Sequence, residues 1–368
     1  MHPYSKQQSG VLMNRSRRGS RTWFISEVPT PQRTPTLNKL AAHLPNAYFV
    51  FMKSKKSDRG WGPITPKHPA VYWDALTLKE RLSILWALTT RSRSEIAICF
   101  GYRGAPRIAA ILTSRLFRSP VILRSDTNQQ NVEKVDGPKR TIRRTLLRMY
   151  IPKSAIAWTI GTENERFWRQ EIGLTQTLRI PYEVPVLPGT ERDGRILPRI
   201  SDPAQLRFLC VGRLANSKCF HDAIDAFRDL KGSKYTNWSL TIVGHGPDEA
   251  RLKALAWGDP RIQLIGAVEY SELGKLYEAA DVLVVPSSSE PWGLVVNEAL
   301  GFGLYVIASD SVGAATDLVS EDDGAVYPTG DTGALSERMS SAARYTRRLP
   351  RPPQSDTAAL MLEALGAR

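Results

Sequence analysis

The sequence predicts an α/β protein of two domains, each built on a parallel sheet, and three observations carry that expectation. Short β-rich runs alternate with helix-period segments through both halves, the pattern of parallel α/β layers. A stretch without apolar period, Pro185–Ala204, separates them; it holds Pro185, Pro188, Pro198 and Pro203 with Gly189 and Gly194. The charge also changes sign across it. Residues 1–200 carry 34 Lys and Arg against 14 Asp and Glu, a balance of +20, and residues 201–368 carry 16 against 22, a balance of −6. A chain of 368 residues is too long for one ordinary core and suits two.

In chain order, residues 1–20 are basic and polar, with Lys6, Arg15, Arg17 and Arg18. They lack the apolar centre of a secretory signal and read as a disordered start on a cytoplasmic protein. The first domain is expected over 21–190. Its strands are Thr22–Ser26, Ala47–Met52, Ala97–Gly101, Val121–Arg124 and Ala155–Ile160, with helices at Leu37–Leu44, Lys79–Leu88 and Ala105–Phe117. A linker over 191–204 follows. The second domain, 205–345, has strands at Leu206–Val211, Leu240–Val243, Ile262–Ile265, Val282–Val285 and Leu304–Ala308. A break rich in proline over Thr346–Ser355 leads to a tail with a short helix, Asp356–Leu365, that could pack back on the first domain. No run reaches the roughly 18 apolar residues of a membrane span. Cys99 and Cys210 fall inside strand-like runs and read as buried reduced thiols; with Cys219 they form no metal-ligand spacing.

One helix pattern, Lys139–Ile151, is strongly two-sided. Ile142, Leu146, Met149 and Tyr150 fall on one side, expected on the core, and Arg140, Arg143, Arg144 and Arg148 on the other. Four outward arginines suggest a contact with anionic lipid on the inner face of the cytoplasmic membrane. A basic half joined to an acidic half, without a motif that reads RNA or DNA, argues against a nucleic-acid partner.

The chemistry concentrates in residues 206–318. An apolar strand ends at Gly212, Arg213 follows, and Lys218 comes just before a helix with the apolar stripe Phe220, Ala223, Ile224 and Phe227. Two cations and a helix N-terminus beyond a strand's carboxyl end suit a diphosphate; taken alone, they would be a surface Arg and Lys on a turn. The next strand ends in Gly244-His-Gly246-Pro, where glycines let backbone approach a ligand. His245 lacks a partner at metal spacing and reads as a loop residue. Then a buried strand runs into Pro286-Ser-Ser-Ser-Glu-Pro-Trp-Gly293, followed by a helix. Backbone N–H groups of Gly293 and Leu294 at its start can hold a phosphate oxygen. Glu290 suits sugar hydroxyls and Glu298, eight positions on, a ribose diol; either alone would be a supporting or solvated carboxylate.

Together, Gly212-Arg213-Leu214, Lys218, Gly244-x-Gly246-Pro247, Glu290-x7-Glu298 and the small turn around Gly313 resemble glycosyltransferase family 4 over residues 206–330. The resemblance implies a GT-B fold, with two Rossmann-like doubly wound parallel-sheet domains facing a cleft. It implies a retaining transferase that takes a nucleotide-sugar donor, with Arg213 and Lys218 on the diphosphate, Glu290 on the donor sugar and Glu298 on the ribose. Cys219 stands where the family usually has glycine, and Trp292 where it often has phenylalanine. The first half resembles the family loosely. Its loop Ser26–Arg33 is similar to the proline- and arginine-containing version in some polysaccharide transferases. Asp126, after strand Val121–Arg124, is the candidate acceptor contact, with a helix-capping role equally open; Asn164 is a weaker candidate. No D-x-D motif appears, so no metal and no cofactor are expected, and the cations would neutralise the leaving group. The function expected is transfer of a sugar to a glycan or lipid-linked acceptor in cell-surface or exopolysaccharide synthesis. Alternatives are a GT-B sugar-nucleotide epimerase and a non-enzymatic basic membrane-binding protein that keeps the fold.

Overall fold

The computed structural model describes residues 21–30, 33–54, 66–133, 137–182, 199–200, 202–345, 347–348 and 356–366. The basic start over 1–20, most of the linker over 191–204 and most of the break over 346–355 lie outside the described residues. The chain divides into two compact units. The first takes the described residues up to Tyr182 together with the C-terminal helix, and the second those from Arg199 to Arg348.

In the first unit, β1 (Thr22–Ser26), α1 (Thr34–His43), β2 (Ala47–Phe51), β3 (Ala70–Tyr72), α2 (Leu78–Thr89), β4 (Ile96–Phe100), α3 (Ala105–Phe117), β5 (Val121–Arg124), α4 (Gln129–Glu133), α5 (Gly137–Tyr150), β6 (Ile156–Thr159), α6 (Thr162–Arg166) and β7 (Thr177–Arg179) follow in order. Their strands form one parallel sheet in the order β3-β2-β1-β4-β5-β6-β7. All strands run parallel, and the order in which they are added reverses at the β1/β4 neighbour pair, which makes the sheet doubly wound. One face is sealed by α2 and α3 through Leu88, Ala110 and Ile111, and by Ile151 just past the end of α5. The other is sealed by Leu37 and Leu40 of α1, joined by Ala358 and Met361. The last two belong to the C-terminal helix (Thr357–Ala364), whose N-terminus Asp356 caps by accepting from the Ala359 N–H at 3.0 Å.

The second unit runs β8 (Arg199–Ile200), β9 (Arg207–Val211), α7 (Phe220–Arg228), β10 (Ser239–Val243), α8 (Glu249–Ala256), β11 (Ile262–Gly266), α9 (Leu273–Ala279), β12 (Val282–Val285), α10 (Leu294–Gly301), β13 (Tyr305–Ser309), α11 (Gly313–Leu318), β14 (Gly324–Tyr327), α12 (Thr332–Ser341) and β15 (Arg347–Arg348). Its six-stranded parallel sheet has the order β11-β10-β9-β12-β13-β14, with the switch between β9 and β12. The apolar stripe expected on α7 is buried: Phe220, Ala223, Ile224 and Phe227 pack on Phe208 and Cys210 of β9. The pair β8 and β15 is antiparallel, so backbone at each end of this unit is tied together. These two-residue strands, and the short edge strands β3 and β7, are too brief to show a period in the sequence. Cys99 and Cys210 are buried in β4 and β9, and burial pushes the Cys99 thiol up to about 12.

One expectation is overturned. On α5 it is Ile142, Leu146 and Met149 that are exposed, while the arginines turn back onto the protein. Arg140 pairs with buried Glu171, Arg143 donates to the Tyr102 hydroxyl at 3.0 Å, and Arg148 donates to the Glu171 carbonyl at 2.9 Å. A buried carboxylate needs a cation more than this amphipathic helix needs its apolar side covered, and Glu171 settles the rotation. Only Leu147 and Tyr150 of α5 lean on the core.

Candidate functional site

The second unit brings most of the sequence-predicted residues to the carboxyl ends of β9, β10 and β12, around the switch point where α/β sheets bind ligands. The turn after β9 is Gly212–Lys218. It is bonded to the turn after β10, since the Leu214 N–H donates to the His245 carbonyl at 3.0 Å and the Asp248 N–H to the Leu214 carbonyl at 3.0 Å. Glycine is required at the junction. A Cβ on Gly244 would lie 1.8 Å from the Gly212 carbonyl oxygen, and one on Gly246 would lie 2.2 Å from that of Leu214. The sequence reads these glycines as room for a ligand; the structure shows that they are first needed for one turn to lie against the other. Arg213 is exposed on this paired turn. His245 meets Glu249 on the surface of α8 at 3.0 Å.

The loop after β12 is held from both sides. The Ser288 N–H donates to the Ser217 carbonyl at 2.9 Å, the Gly313 N–H to the Glu290 carbonyl at 3.1 Å and the Ala314 N–H to the Trp292 carbonyl at 2.8 Å. The Trp292 ring is buried and its Nε1–H donates to Asn297 at 2.8 Å, so the larger ring fastens the loop to α10. Gly293 caps that helix with φ +97°, which favours glycine, and Leu294 is its first residue. Lys218 and Glu290, 72 residues apart, form a half-buried ion pair, so the diphosphate and sugar candidates stand side by side. Cys219 keeps the glycine conformation expected there: it sits at φ +50°, ψ +36°, the left-handed region, between the 3₁₀ turn Asn216–Lys218 and α7.

Glu298 is placed differently from expectation. It is buried under α10, accepting from the Tyr277 hydroxyl at 2.7 Å and the Tyr270 hydroxyl at 3.4 Å. Burial raises its carboxyl above the usual range, and the two hydroxyls pull it partly back. Neither tyrosine stood out in the sequence, because aromatic residues on a helical run read as core.

The sequence gives no metal spacing, yet among the described residues Cys219, His221 and Asp222 bring their ligand atoms within 4.8 Å of one another. His221 Nε2 lies 3.2 Å from Asp222, which spends part of this set on an internal pair at the start of α7.

In the first unit, Asp126 follows β5 and its carboxylate accepts from the Tyr182 hydroxyl. Arg124, just before it, is buried, donates to the Ile180 carbonyl at 2.7 Å and lies over the Tyr182 ring; burial brings it down to about 10, so it stays charged at neutral pH. Asn164 braces the loop: it donates to the carbonyls of Ser125 at 2.7 Å and Thr127 at 2.5 Å and accepts from Ile160 N–H at 3.1 Å. It shapes the Asp126 loop. The switch point of this sheet joins the loop Ser26–Arg33, marked in the sequence, to one residue that was not marked, Arg107. Buried Arg107 of α3 bonds Glu27 at 3.1 Å and reaches across from 80 positions away. Arg33 bonds Ser26 at 2.9 Å and lies over the Phe100 ring.

Comparison with known proteins agrees with this geometry. Residues 199–346 match the family described as glycosyl transferases group 1. A Mycobacterium tuberculosis protein named GDP-mannose-dependent alpha-(1-6)-phosphatidylinositol dimannoside mannosyltransferase is 30% identical over 223 residues, 58% of this chain and 57% of that protein. Sulfoquinovosyl transferase SQD2 of Arabidopsis thaliana is 36% identical over 144 residues, 39% of this chain and 26% of its own. The chain thus spans little more than half of one relative and about a quarter of the other. Among solved structures, Anabaena Alr3699/HepE in complex with UDP superposes with a TM-score of 0.63 at 14% identity, covering 93% of this chain and 95% of that one. WaaG, a glycosyltransferase involved in lipopolysaccharide biosynthesis, gives 0.60 at 16%, covering 88% and 90%. The fold is GT-B, with two Rossmann-like units, and residues 199–346, in the second unit, are similar to the group 1 glycosyl transferases.

Proposed function

We propose that this chain is a retaining glycosyltransferase that moves a sugar from a nucleoside-diphosphate donor onto a glycan or lipid-linked acceptor, in cell-surface or exopolysaccharide synthesis at the cytoplasmic side of the membrane. The observation that carries the reading is the Lys218–Glu290 pair at the switch point of the second sheet, with Arg213 on the same turn as Lys218. A cation beside a carboxylate suits a donor whose diphosphate and sugar hydroxyls are neighbours. Arg213 and Lys218 take the diphosphate, joined by N–H groups of Gly293 and Leu294 at the start of α10. Glu290 accepts from sugar hydroxyls and Glu298 from the ribose. Gly212, Gly244 and Gly246 hold the turns low enough for the donor to approach. Asp126 meets the acceptor. The names of the relatives, each a sugar transferase, and the UDP in the Anabaena complex support the donor class.

In the reaction, the bond from the anomeric carbon to phosphate oxygen breaks and an acceptor oxygen bonds to that carbon on the same face. The acceptor proton passes to the departing phosphate. The protein's main contribution is to stabilise charge on the leaving diphosphate, which grows toward the transition state.

A thermal-shift series with UDP, GDP, ADP and dTDP tests the reading. One of them, at about 100 times its dissociation constant, is expected to add roughly 2.7 kcal/mol of stability. Transfer to acceptor is expected to continue in excess EDTA, because the two cations do the neutralising. No shift with any nucleotide would overturn the donor site. Activity lost in EDTA and restored by Mn²⁺ would overturn the metal-free leaving group, and donor turnover without a transfer product would turn the reading into an epimerase.

A further inference from the structure

The outward side of the first unit's α2, α3 and α5 is unusually apolar for a surface. These three helices lie side by side on one face of the sheet, α2 against α3 and α3 against α5. Each already commits one side to the core and displays a second apolar stripe. On α2 the stripe is Leu78, Leu82 and Trp86, spaced by four, with Leu78 73% and Trp86 72% exposed. On α3 it is Ile108, Leu112 and Leu116, again spaced by four, with Leu116 71% exposed and Phe117 beside it. On α5 it is Ile142, Leu146 and Met149, the residues that turned outward when the arginines turned in. Spacings of four and three place each set on one side of its helix. Single exposed apolar residues are ordinary; three aligned stripes on adjacent helices are not.

The charge around the stripes says what covers them. The segments 78–89, 105–118 and 137–150 hold ten Lys and Arg and one acid, Glu80. Lys79, Arg115, Arg118 and Lys139 are exposed among the stripes. A second copy meeting this face by two-fold symmetry would set these four exposed cations against their own copies, with no exposed acid among the stripes to offset them. An acidic protein would satisfy the charge and leave wide apolar stripes to match. A bilayer with anionic headgroups satisfies both, because its acyl boundary takes the apolar side chains and its phosphates take the cations at the rim.

We propose that the first unit docks on an anionic lipid surface through the outer sides of α2, α3 and α5, with Trp86, Leu116 and Leu146 as the inserted anchors. The inward arginines of α5 set the helix rotation that presents Leu146. The contact needs no donor and no turnover, so it stands or falls separately from the transferase reading.

The test is co-sedimentation of the full chain with vesicles of phosphatidylcholine alone and of phosphatidylcholine mixed equally with phosphatidylglycerol. Wild-type protein is expected to pellet with the mixed vesicles and stay in solution with the neutral ones, and added salt is expected to weaken the binding. The triple variant Trp86→Ser, Leu116→Ser, Leu146→Ser changes exposed positions only. It is expected to melt like wild type and to lose binding at least tenfold. A second variant, Lys79→Ser with Arg118→Ser, leaves the apolar stripes intact and is expected to lose about fivefold for each cation removed. Wild-type protein left in the supernatant with mixed vesicles would overturn the proposal. So would a triple variant that binds like wild type, or one that converts a dimeric wild type to a monomer without any vesicle binding by either.

Discussion

The two units share a strand order and differ in what they place at the switch point. In the second, the turns after β9 and β12 carry small residues, a surface arginine and the Lys218–Glu290 pair, all reached through backbone bonds between neighbouring turns. In the first, the same location is filled by side chains that reach across the sheet: Arg107 to Glu27, Arg33 to Ser26 and over Phe100. One is open chemistry on a backbone frame. The other is a charged plug. A shared topology therefore fixes where a site can be built, and local residue choice decides whether that place binds a ligand or holds the loops together.

Breaking the second switch point is expected to have the largest effect. Lys218→Ala and Arg213→Ala should each lower turnover by on the order of a hundredfold to a thousandfold, the scale for one lost donor to a transition-state charge. Both should melt close to wild type, since Arg213 is exposed and Lys218 only half-buried. Steady-state kinetics beside a melting curve separates the two quantities. A folded Arg213→Ala protein with near wild-type turnover would remove the diphosphate assignment.

The first switch point should answer in stability instead. Glu27→Ala leaves the buried Arg107 guanidinium without its carboxylate, because the Arg107 side chain is 4% exposed against 46% for Glu27. A loss of about 2 kcal/mol is expected, between the ranges for exposed and buried pairs, read from urea unfolding. Arg107→Met removes the buried charge itself and should cost less. Nucleotide binding should not change in either. If Glu27→Ala binds donor poorly while its stability holds, the contrast between the two switch points fails.

The same contrast explains what the sequence revealed. Strands such as Thr22–Ser26, Val121–Arg124 and Val282–Val285 were legible to the residue, because each is built around a contiguous apolar run that ends in a polar residue or at a turn signal. The placement of Arg213, Lys218 and Glu290 was legible because each follows the carboxyl end of a strand, which puts it at the edge where this sheet's order switches. What stayed hidden depends on distant partners. The rotation of α5 was decided by Glu171, which no pattern within α5 reports. The burial of Glu298 depends on Tyr277 and Tyr270, 21 and 28 positions away. The bracing role of Asn164 stayed hidden because its three bonds to Ser125, Thr127 and Ile160 exist only in the folded unit.

Glu298 offers a finer test, through pH. Its carboxyl is raised in the folded protein, first by burial. A group raised on folding contributes stability that is fully present below its unfolded value, about 4.3 for glutamate, and is lost as pH rises through the folded value. Glu298→Gln lacks that titration and can still accept from a tyrosine hydroxyl. The difference in melting temperature between variant and wild type should therefore move in the variant's favour from pH 4 to pH 7, while nucleotide affinity falls. A difference that stays flat across this range would show that the carboxyl is not held in a raised state.

The smallest effect is expected at Cys219, where the backbone sits at φ +50°, a conformation that L side chains adopt at a cost of about 1–2 kcal/mol. Cys219→Gly relieves that strain. It also gives the unfolded chain more freedom, worth roughly 0.5–1 kcal/mol, and removes a thiol that donates to the Asn216 carbonyl at 3.3 Å. The terms nearly cancel, so stability should change by less than about 1 kcal/mol and nucleotide affinity should hold. Cys219→Val is the informative partner. A β-branched side chain resists the left-handed region, and of order 1–3 kcal/mol should be lost. Because Cys219 joins the Lys218 turn to α7, the strain should also shift the ammonium away from Glu290 and weaken nucleotide binding. Urea midpoints and nucleotide titrations on the two variants read both effects. A valine variant as stable and as tight-binding as wild type would mean that the turn can leave the left-handed region without cost, and that Lys218 is positioned by Glu290 alone.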